Sequence, residues 1–225
     1  GKSSEFQILL GGHYDTHFWG FQDDCCAVGL VLAAAKAILD IGFEPENDIV
    51  FCLHGAEEWG SSYTQFDWTV GAWEMINTLH PEWVGKTLAF LNFELPAYEF
   101  ATYTTTYSAP EMFSLLRDFT TRYPYAPKPQ GCFPDGVLTE AYQTYTYSDD
   151  FSYYAAGVPS TVNGFLLQKD MEHVHPFYID YYHTQYDTPD TYNDAVMAFN
   201  LRYYGALAIY IDQLPALQLD FTAQY

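Results

Sequence analysis

The chain has 225 residues, 49% of them hydrophobic and 19% aromatic, which is enough to build a sizeable core. Its 29 Asp and Glu residues against 8 Lys and Arg give a formal net charge of −21. This charge disfavours nucleic acids and anionic membranes as partners, because both are bound through clustered basic side chains. It is compatible with cationic substrates or bound metal ions, and with the soluble surface of a secreted or cell-surface protein.

The first half of the sequence alternates apolar strands with helices. Phe6–Gly12 predicts a buried strand, and Cys26–Gly42 predicts a helix rich in Ala and Leu. Further strands are predicted at Asp48–His54 and Lys86–Leu95, with a helix between them at Thr69–His80. This alternation indicates βαβ units and therefore a mostly parallel sheet.

The second half continues with helices, a loop and a further strand. Ala109–Tyr123 predicts a helix, and the Pro-rich segment 123–136 predicts a loop. A short helix is expected at Asp149–Gly157, with Asp149 and Asp150 as its N-terminal capping pair, and a strand at Pro159–Phe165. Thr191–Leu214 predicts a long final helix. We therefore expect an α/β fold, with a mostly parallel central sheet flanked by helices in a single domain, residues 1–225. No apolar run has the length of a membrane span, so membrane insertion is not expected.

His and carboxylate residues follow the predicted strands where these strands end. Ligands of parallel α/β sheets gather at this edge, and zinc takes His nitrogen and carboxylate oxygen readily. The first strand leads to His13, Asp15 and the pair Asp23–Asp24, the second to Glu57 and Glu58, and the third to Glu94, while a late loop supplies His183. Together these residues predict a site for divalent cations.

Each of these residues also has a simpler interpretation. Taken alone, His13 would be a structural histidine, and Asp23–Asp24 would cap the helix that follows. Glu57–Glu58 would be a solvated turn, and His183 a surface residue. Glu94 is harder to explain in this way, because an unpaired carboxylate at the end of an apolar strand is costly to bury.

The stretches GGHYD with DD (11–24), AEEWG (56–60), LNFE (91–94) and YHTQYDT (182–188) occur in this order. Together they resemble the zinc-dependent aminopeptidase family with a co-catalytic metal pair. That family includes bacterial secreted aminopeptidases, glutamate carboxypeptidase II and the transferrin receptor ectodomain. The resemblance implies a zinc-peptidase fold of the phosphorylase/hydrolase-like type and two bound Zn²⁺ ions, or other divalent transition metals. The family's lead-in strands before the first motif are missing here, so we expect a catalytic domain without its N-terminal lead-in.

The resemblance also implies a role for each matching residue. The implied metal ligands are His13, Asp24, Glu58, Glu94 and His183. Asp24 is favoured over Asp23 as the carboxylate that bridges the two ions, although spacing alone leaves both open. The residues implied in catalysis are Glu57, Asp15 and Tyr182. Glu57 would take a proton from the metal-bridging water, Asp15 would orient the ligand histidine, and Tyr182 would steady the oxyanion.

We expect an aminopeptidase acting on peptides with a free N-terminus. A site rich in carboxylates suits an α-ammonium group, whereas a carboxypeptidase of the carboxypeptidase II type needs Lys or Arg for the substrate carboxylate. Candidate wall residues for apolar or aromatic side chains are Tyr103, Tyr107, Phe133 and Tyr147. The alternatives are such a carboxypeptidase, a single-zinc acyltransferase resembling glutaminyl cyclase, and a non-catalytic receptor-type domain. The oligomeric state is left open.

Overall fold

The computed structural model describes residues 1–62, 68–123, 131–138, 142–166, 177–215 and 219–224. Half of the predicted Pro-rich loop, residues 124–130, therefore lies outside the described residues. The strands of the described part form one sheet with the order β2-β1-β3-β7-β4-β5, in which β6 also pairs with β4. The strands are β1 Gln7–His13, β2 Asp48–His54, β3 Thr87–Asn92, β4 Tyr103–Ser108, β5 Gly136–Val137, β6 Tyr142–Gln143 and β7 Ser160–Leu166. The β4–β7 pair is antiparallel and the other pairs are parallel, which confirms the predicted mostly parallel α/β sheet.

Helices cover both faces of this sheet. They are α1 Cys26–Asp40, α2 Val70–Glu74, α3 Phe113–Arg122, α4 Asp149–Ala155 and α5 Asp194–Asp212. Short helical turns extend or connect them at Phe21–Cys25, Met75–Leu79, Pro81–Trp83, Pro110–Met112, Phe177–Tyr181, Pro189–Thr191 and Phe221–Gln224. Among the described residues, no helix has both the length and the apolar character needed to cross a bilayer.

The central strands are buried on both sides, which explains their continuous apolar sequence. Ile8 and Leu10 point to the larger core cluster, which includes residues of α1, α3 and α5. Leu9 points the other way, into a smaller cluster with Ala72 of α2 and Tyr153 of α4. Successive side chains of a strand alternate between faces, so a strand covered on both sides needs apolar residues at every position.

The structure differs from the predicted elements in two places that bear on the site. The third strand ends at Asn92 rather than Leu95, and Leu95 adopts a positive φ of 45°, so Glu94 lies in a turn beyond the strand. Strand β4, at Tyr103–Ser108, was not predicted. Its alternating Tyr and Thr residues are typical of a strand, and this signal was available in the sequence.

The predicted capping role of Asp149 and Asp150 is also corrected. Ser148 precedes the first residue of α4, and no side chain caps the helix there. Asp149 instead pairs with the Nδ1 atom of His54 at 2.9 Å, with both side chains fully buried. The second His54 nitrogen lies 2.9 Å from the Tyr153 hydroxyl. These contacts join α4 to the end of β2, close to the predicted site.

Candidate metal centre

The side chains selected at the strand ends converge at the carboxyl edge of β1, β2 and β3. His13 is the last residue of β1, while the glutamate pair and Glu94 lie in the turns that follow β2 and β3. The loop after the turn Phe177–Tyr181 brings His183 to the same place. The residues that meet there are His13, Asp23, Glu57, Glu58, Glu94 and His183. Groups distant in the sequence thus share one small volume.

A first group of ligand atoms surrounds the Nε2 atom of His13. This nitrogen lies 3.2 Å from Oδ1 of Asp23 and 3.5 Å from Oε2 of Glu94. These three ligand atoms all lie within 4.8 Å of one another, the arrangement needed to hold a metal ion. One imidazole and two carboxylates are a donor set that suits zinc.

A second group surrounds the Nε2 atom of His183. This nitrogen lies 3.0 Å from Oδ2 of Asp23 and 3.2 Å from Oε2 of Glu58. Asp23 therefore presents one oxygen to each group and connects them. This is the geometry that the sequence analysis expected of Asp24.

Asp24 lies beside the centre and binds backbone amides. One of its oxygens accepts from His13 N at 3.4 Å, and the other accepts from Leu95 N at 3.3 Å. Its side chain fits because Gly12 has no Cβ, which would lie 3.0 Å from Asp24 Oδ2. Its nearest approach to the ligand nitrogen of His13 is 3.9 Å. The fully buried Asp24 thus ties the end of β1 to the turn after β3, and the position between the two groups belongs to Asp23.

Glu57 stands close to both groups in a nearly closed position. Its Oε2 lies 3.8 Å from Nε2 of His13, and only 3% of the residue is exposed. Burial, followed by the negative charge of Glu94, raises the pKa of Glu57 to about 11. A carboxyl group with this environment favours holding a proton until a cation is near.

Asp15 holds the turn that carries both glutamates. Its two oxygens accept hydrogen bonds of 3.1 Å from the backbone amides of Glu57 and Glu58. The Nδ1 atom of His13 lies 2.9 Å from the Asp15 carbonyl and 3.6 Å from its carboxylate. Burial raises the pKa of Asp15, but the contacts with His13 and the two amides outweigh it and lower the pKa below its usual value. Asp15 therefore contacts both His13 and the turn that carries Glu57 and Glu58.

Two further residues brace the centre and were not assigned a role from the sequence. Asp187 accepts hydrogen bonds from the backbone amides of Gln22 and Asp23, at 2.9 and 3.1 Å. Ser148 donates a 2.6 Å hydrogen bond to Oε1 of Glu94. An aspartate shortly after His183 in the last motif was a usable signal for Asp187, whereas a single serine gives no signal in the sequence.

The donor set fits a pair of cations. Four buried ligand atoms make no hydrogen bond within the described structure, although their neighbours lie close: Nε2 of His13, Nε2 of His183, Oδ2 of Asp23 and Oε1 of Glu58. Unpaired buried polar atoms are costly, and such atoms converging on one volume indicate a ligand between them. The charges agree with this interpretation. Burial lowers the pKa of His183, yet its contacts with Asp23 and Glu58 raise it to about 9, so a positive charge is already favoured at this position.

A cavity of about 300 Å³ opens next to the centre. Its walls combine the acidic groups with aromatic and small residues, among them Tyr107, Tyr145, Tyr147, Val162, Gly164 and Tyr182. Of the predicted wall residues, Tyr107 and Tyr147 line this cavity. Phe133 does not, because it is 2% exposed and packs edge-on against Phe199 in the core. Tyr103 is a half-buried residue of β4 and is not among the lining residues.

Tyr182 lies at the cavity wall beside the second group. Its ring stacks on His183 with a centroid distance of 3.8 Å. Burial, followed by the negative charge of Asp23, raises the pKa of its phenol above the usual value. The phenol therefore remains protonated near neutral pH.

This sheet, with His and carboxylate ligands at its carboxyl edge, is the fold of the α/β zinc peptidases. The model of peptidase family M28 matches residues 1–204. The chain belongs to peptidase family M28. Among curated protein sequences, none matches the chain significantly.

Solved structures share this fold at low sequence identity. An aminopeptidase from Aneurinibacillus sp. strain AM-1 is similar with a TM-score of 0.70 and 18% identity, over 96% of this chain and 46% of that one. The LapA aminopeptidase of Legionella pneumophila has a TM-score of 0.70 and 19% identity, over 96% of this chain and 53% of that one. A glutaminyl cyclase of Porphyromonas gingivalis has a TM-score of 0.63 and 19% identity, over 94% of this chain and 73% of that one. The chain thus spans about half the length of these two aminopeptidases.

Proposed function

We propose that residues 1–225 are the catalytic domain of an aminopeptidase that binds two zinc ions and releases N-terminal residues from peptides. The observation that carries this proposal is the position of Asp23. Its two oxygens lie 3.2 Å from His13 Nε2 and 3.0 Å from His183 Nε2, so two ligand groups share one carboxylate. A site for a single ion has no need of this arrangement.

His13, Asp23 and Glu94 would hold one ion, while Glu58, His183 and the second oxygen of Asp23 would hold the other. When bound, the zinc pair would supply Lewis acidity and lower the pKa of water in the site. The two ions would also offset the mutual repulsion of Glu57 and Glu58, which are adjacent and buried.

Glu57 is the base in this proposal. Its Oε2 lies 3.8 Å from Nε2 of His13, and Asp15 fixes its backbone through the 3.1 Å hydrogen bond. Glu57 also forms a compact group of possible ligands with His13 and Glu58, but the two ions of this proposal are held without it. With cations bound nearby, the carboxylate form of Glu57 is favoured, so it can accept a proton at Oε2 and deliver it to the leaving amine. Tyr182 lines the same cavity, and in this proposal its hydroxyl would donate to the oxygen of the substrate carbonyl as charge develops on it.

The cavity favours a free N-terminus over a free C-terminus. Asp23, Glu57, Glu94 and Asp150 are among its lining residues, and no Lys or Arg is among those the structure describes. Carboxylate oxygens can accept hydrogen bonds from an α-ammonium group, whereas a substrate carboxylate finds no Lys or Arg among the described residues of this lining. The Tyr residues of the wall suit an apolar or aromatic first side chain.

Hydrolysis of a substrate panel tests this function. Aminoacyl-anilides of Leu, Phe, Ala and Glu would be compared with the same anilides acetylated at the amine, and with peptides that end in Glu. We expect cleavage of the free anilides alone, abolished by a zinc chelator and restored by Zn²⁺. Cleavage of the C-terminal Glu peptides would indicate a carboxypeptidase. Cyclisation of N-terminal Gln with one zinc per chain would indicate the acyltransferase. Two bound zinc ions without turnover of any substrate would indicate a receptor-type domain.

A further inference from the structure

His17 lies within the second ligand group, although the resemblance gives it no role. Its Nε2 lies 3.2 Å from Oε2 of Glu58, the oxygen that Nε2 of His183 also approaches at 3.2 Å. The ligand atoms of His17, Glu58 and His183 all lie within 4.8 Å of one another. These three residues form a set of potential metal ligands as compact as His13, Asp23 and Glu94.

The loop after β1 brings His17 to this position. The loop begins after His13, the last residue of β1, and leads into the helical turn Phe21–Cys25. His13 belongs to the first group, and Asp23, in the helical turn, belongs to both groups. The rings of His17 and His183 lie with centroids 4.4 Å apart and a tilt of 43°. Both imidazoles thus direct a nitrogen to the same glutamate oxygen from neighbouring positions.

We propose that His17 is a further ligand of the second metal ion. This inference rests on the proposed function only for the presence of two ions. With His17, the second ion has two imidazole nitrogens and the oxygens of Glu58 and Asp23, which is the full donor number of a tetrahedral zinc site. The first ion has one imidazole and two carboxylates, and so keeps an open position. The two sites are therefore unequal, and the second is the tighter and richer in nitrogen.

His17 is also more accessible than the other histidines of the centre. Its side chain is 38% exposed, against 23% for His183 and 1% for His13. Substitution at this position therefore removes little packing, which makes a ligand role separable from a structural one. His17→Phe keeps a ring against His183 but has no nitrogen to offer a metal, whereas His17→Ala removes both the ring and the nitrogen.

The test is titration of the metal-free chain with Co²⁺ and with Zn²⁺. Visible absorption follows cobalt coordination, and competition with a chelator gives the affinity for each equivalent of zinc. Glu94→Gln identifies the equivalent held by the first group. His80→Ala is the matched control, because His80 is an exposed histidine paired with Glu82 away from the centre.

We expect His17→Phe and His17→Ala to weaken one equivalent by more than the roughly 10–100-fold that is typical of losing an outer-shell partner, and to change its cobalt spectrum, while the equivalent affected by Glu94→Gln is unchanged. Unchanged affinities and spectra in both variants would overturn the proposal. So would loss in the Ala variant alone, because it would assign His17 a packing role. Two metal equivalents with the expected loss, in a chain that cleaves no peptide, would refute the proposed function and leave this inference standing.

Discussion

The carboxylate of Asp15 accepts a hydrogen bond of 3.1 Å from the backbone amide of Glu57, and its second oxygen accepts an equal one from Glu58. One side chain beyond the end of β1 therefore sets the position of two residues beyond the end of β2. The same residue approaches Nδ1 of His13, so its effect reaches both metal groups. A single carboxylate thus connects His13 of the first group, Glu58 of the second group and Glu57, the base of the proposed function.

Replacement of Asp15 by Asn should disturb this coupling. The Asn side chain keeps one acceptor, but its NH₂ group would face the second backbone amide, donor against donor. We expect Asp15→Asn to weaken zinc binding by about 10–100-fold and to lower kcat. Chelator competition and steady-state kinetics measure the two effects. Asp40→Asn, in an exposed pair with Lys36, is the control and should behave as wild type.

Adjacent Asp23 and Asp24 should give different phenotypes when each is changed to Asn. Asp23→Asn removes a charge that faces both histidines, so we expect loss of bound zinc. Asp24→Asn disturbs hydrogen bonds to two backbone amides, so we expect about 1–3 kcal/mol of lost stability with zinc still bound. Metal content after dialysis and urea unfolding distinguish the two. If Asp24→Asn instead lost the metal and Asp23→Asn kept it, Asp24 would be the bridging residue.

This pair shows how far the sequence could define the site. The strand ends and their acidic residues follow from the apolar pattern, and the motifs select residues that the structure brings together. The choice between neighbouring aspartates depends on the backbone, because Asp23 adopts φ −113° and ψ 85° inside the turn Phe21–Cys25. Neither spacing nor residue type encodes such a turn, so only the three-dimensional structure separates their positions.

His17 and Phe133 are two further residues whose positions could not be predicted from the sequence. His17 lies in an irregular loop, where no periodicity shows which way a side chain points. Phe133 lies beside the Pro-rich segment, and its sequence context does not distinguish a cavity wall from a core position. The strands β1, β2 and β3 were predictable because burial on both faces requires continuous apolar residues, whereas long-range contacts leave no such pattern.

Glu57→Gln tests the base directly. Glutamine has the same size but cannot take up a proton, and in the proposed function Glu57 holds neither ion. We expect kcat to fall by about 10²–10⁴-fold with two zinc ions still bound. Kinetics with metal analysis on the same sample give both numbers. Near-normal turnover would assign the base to another residue, and Glu82→Gln, at an exposed position, controls for loss of a carboxylate.

The buried pair of His54 and Asp149 should make stability depend on pH. Burial lowers the pKa of His54, but Asp149, 2.9 Å from its Nδ1, raises it to about 10. A histidine of the unfolded chain has a pKa of about 6.5, so below that pH the protonated pair contributes fully to the free energy of unfolding. This contribution should decline between about 6.5 and 10, because the folded state then binds a proton that the unfolded state has already lost.

The variant Asp149→Asn isolates this contribution. Removing one partner of a buried pair costs about 3–5 kcal/mol, so we expect a loss of this size at pH 6 and a smaller one towards pH 10. Urea unfolding of the metal-free protein across this range measures the difference. Asp118→Asn, in a more exposed pair with Arg122, should show a small and constant difference. A large loss that stayed constant with pH would mean that His54 is neutral in the fold, and that Asp149 holds α4 against β2 through a neutral hydrogen bond alone.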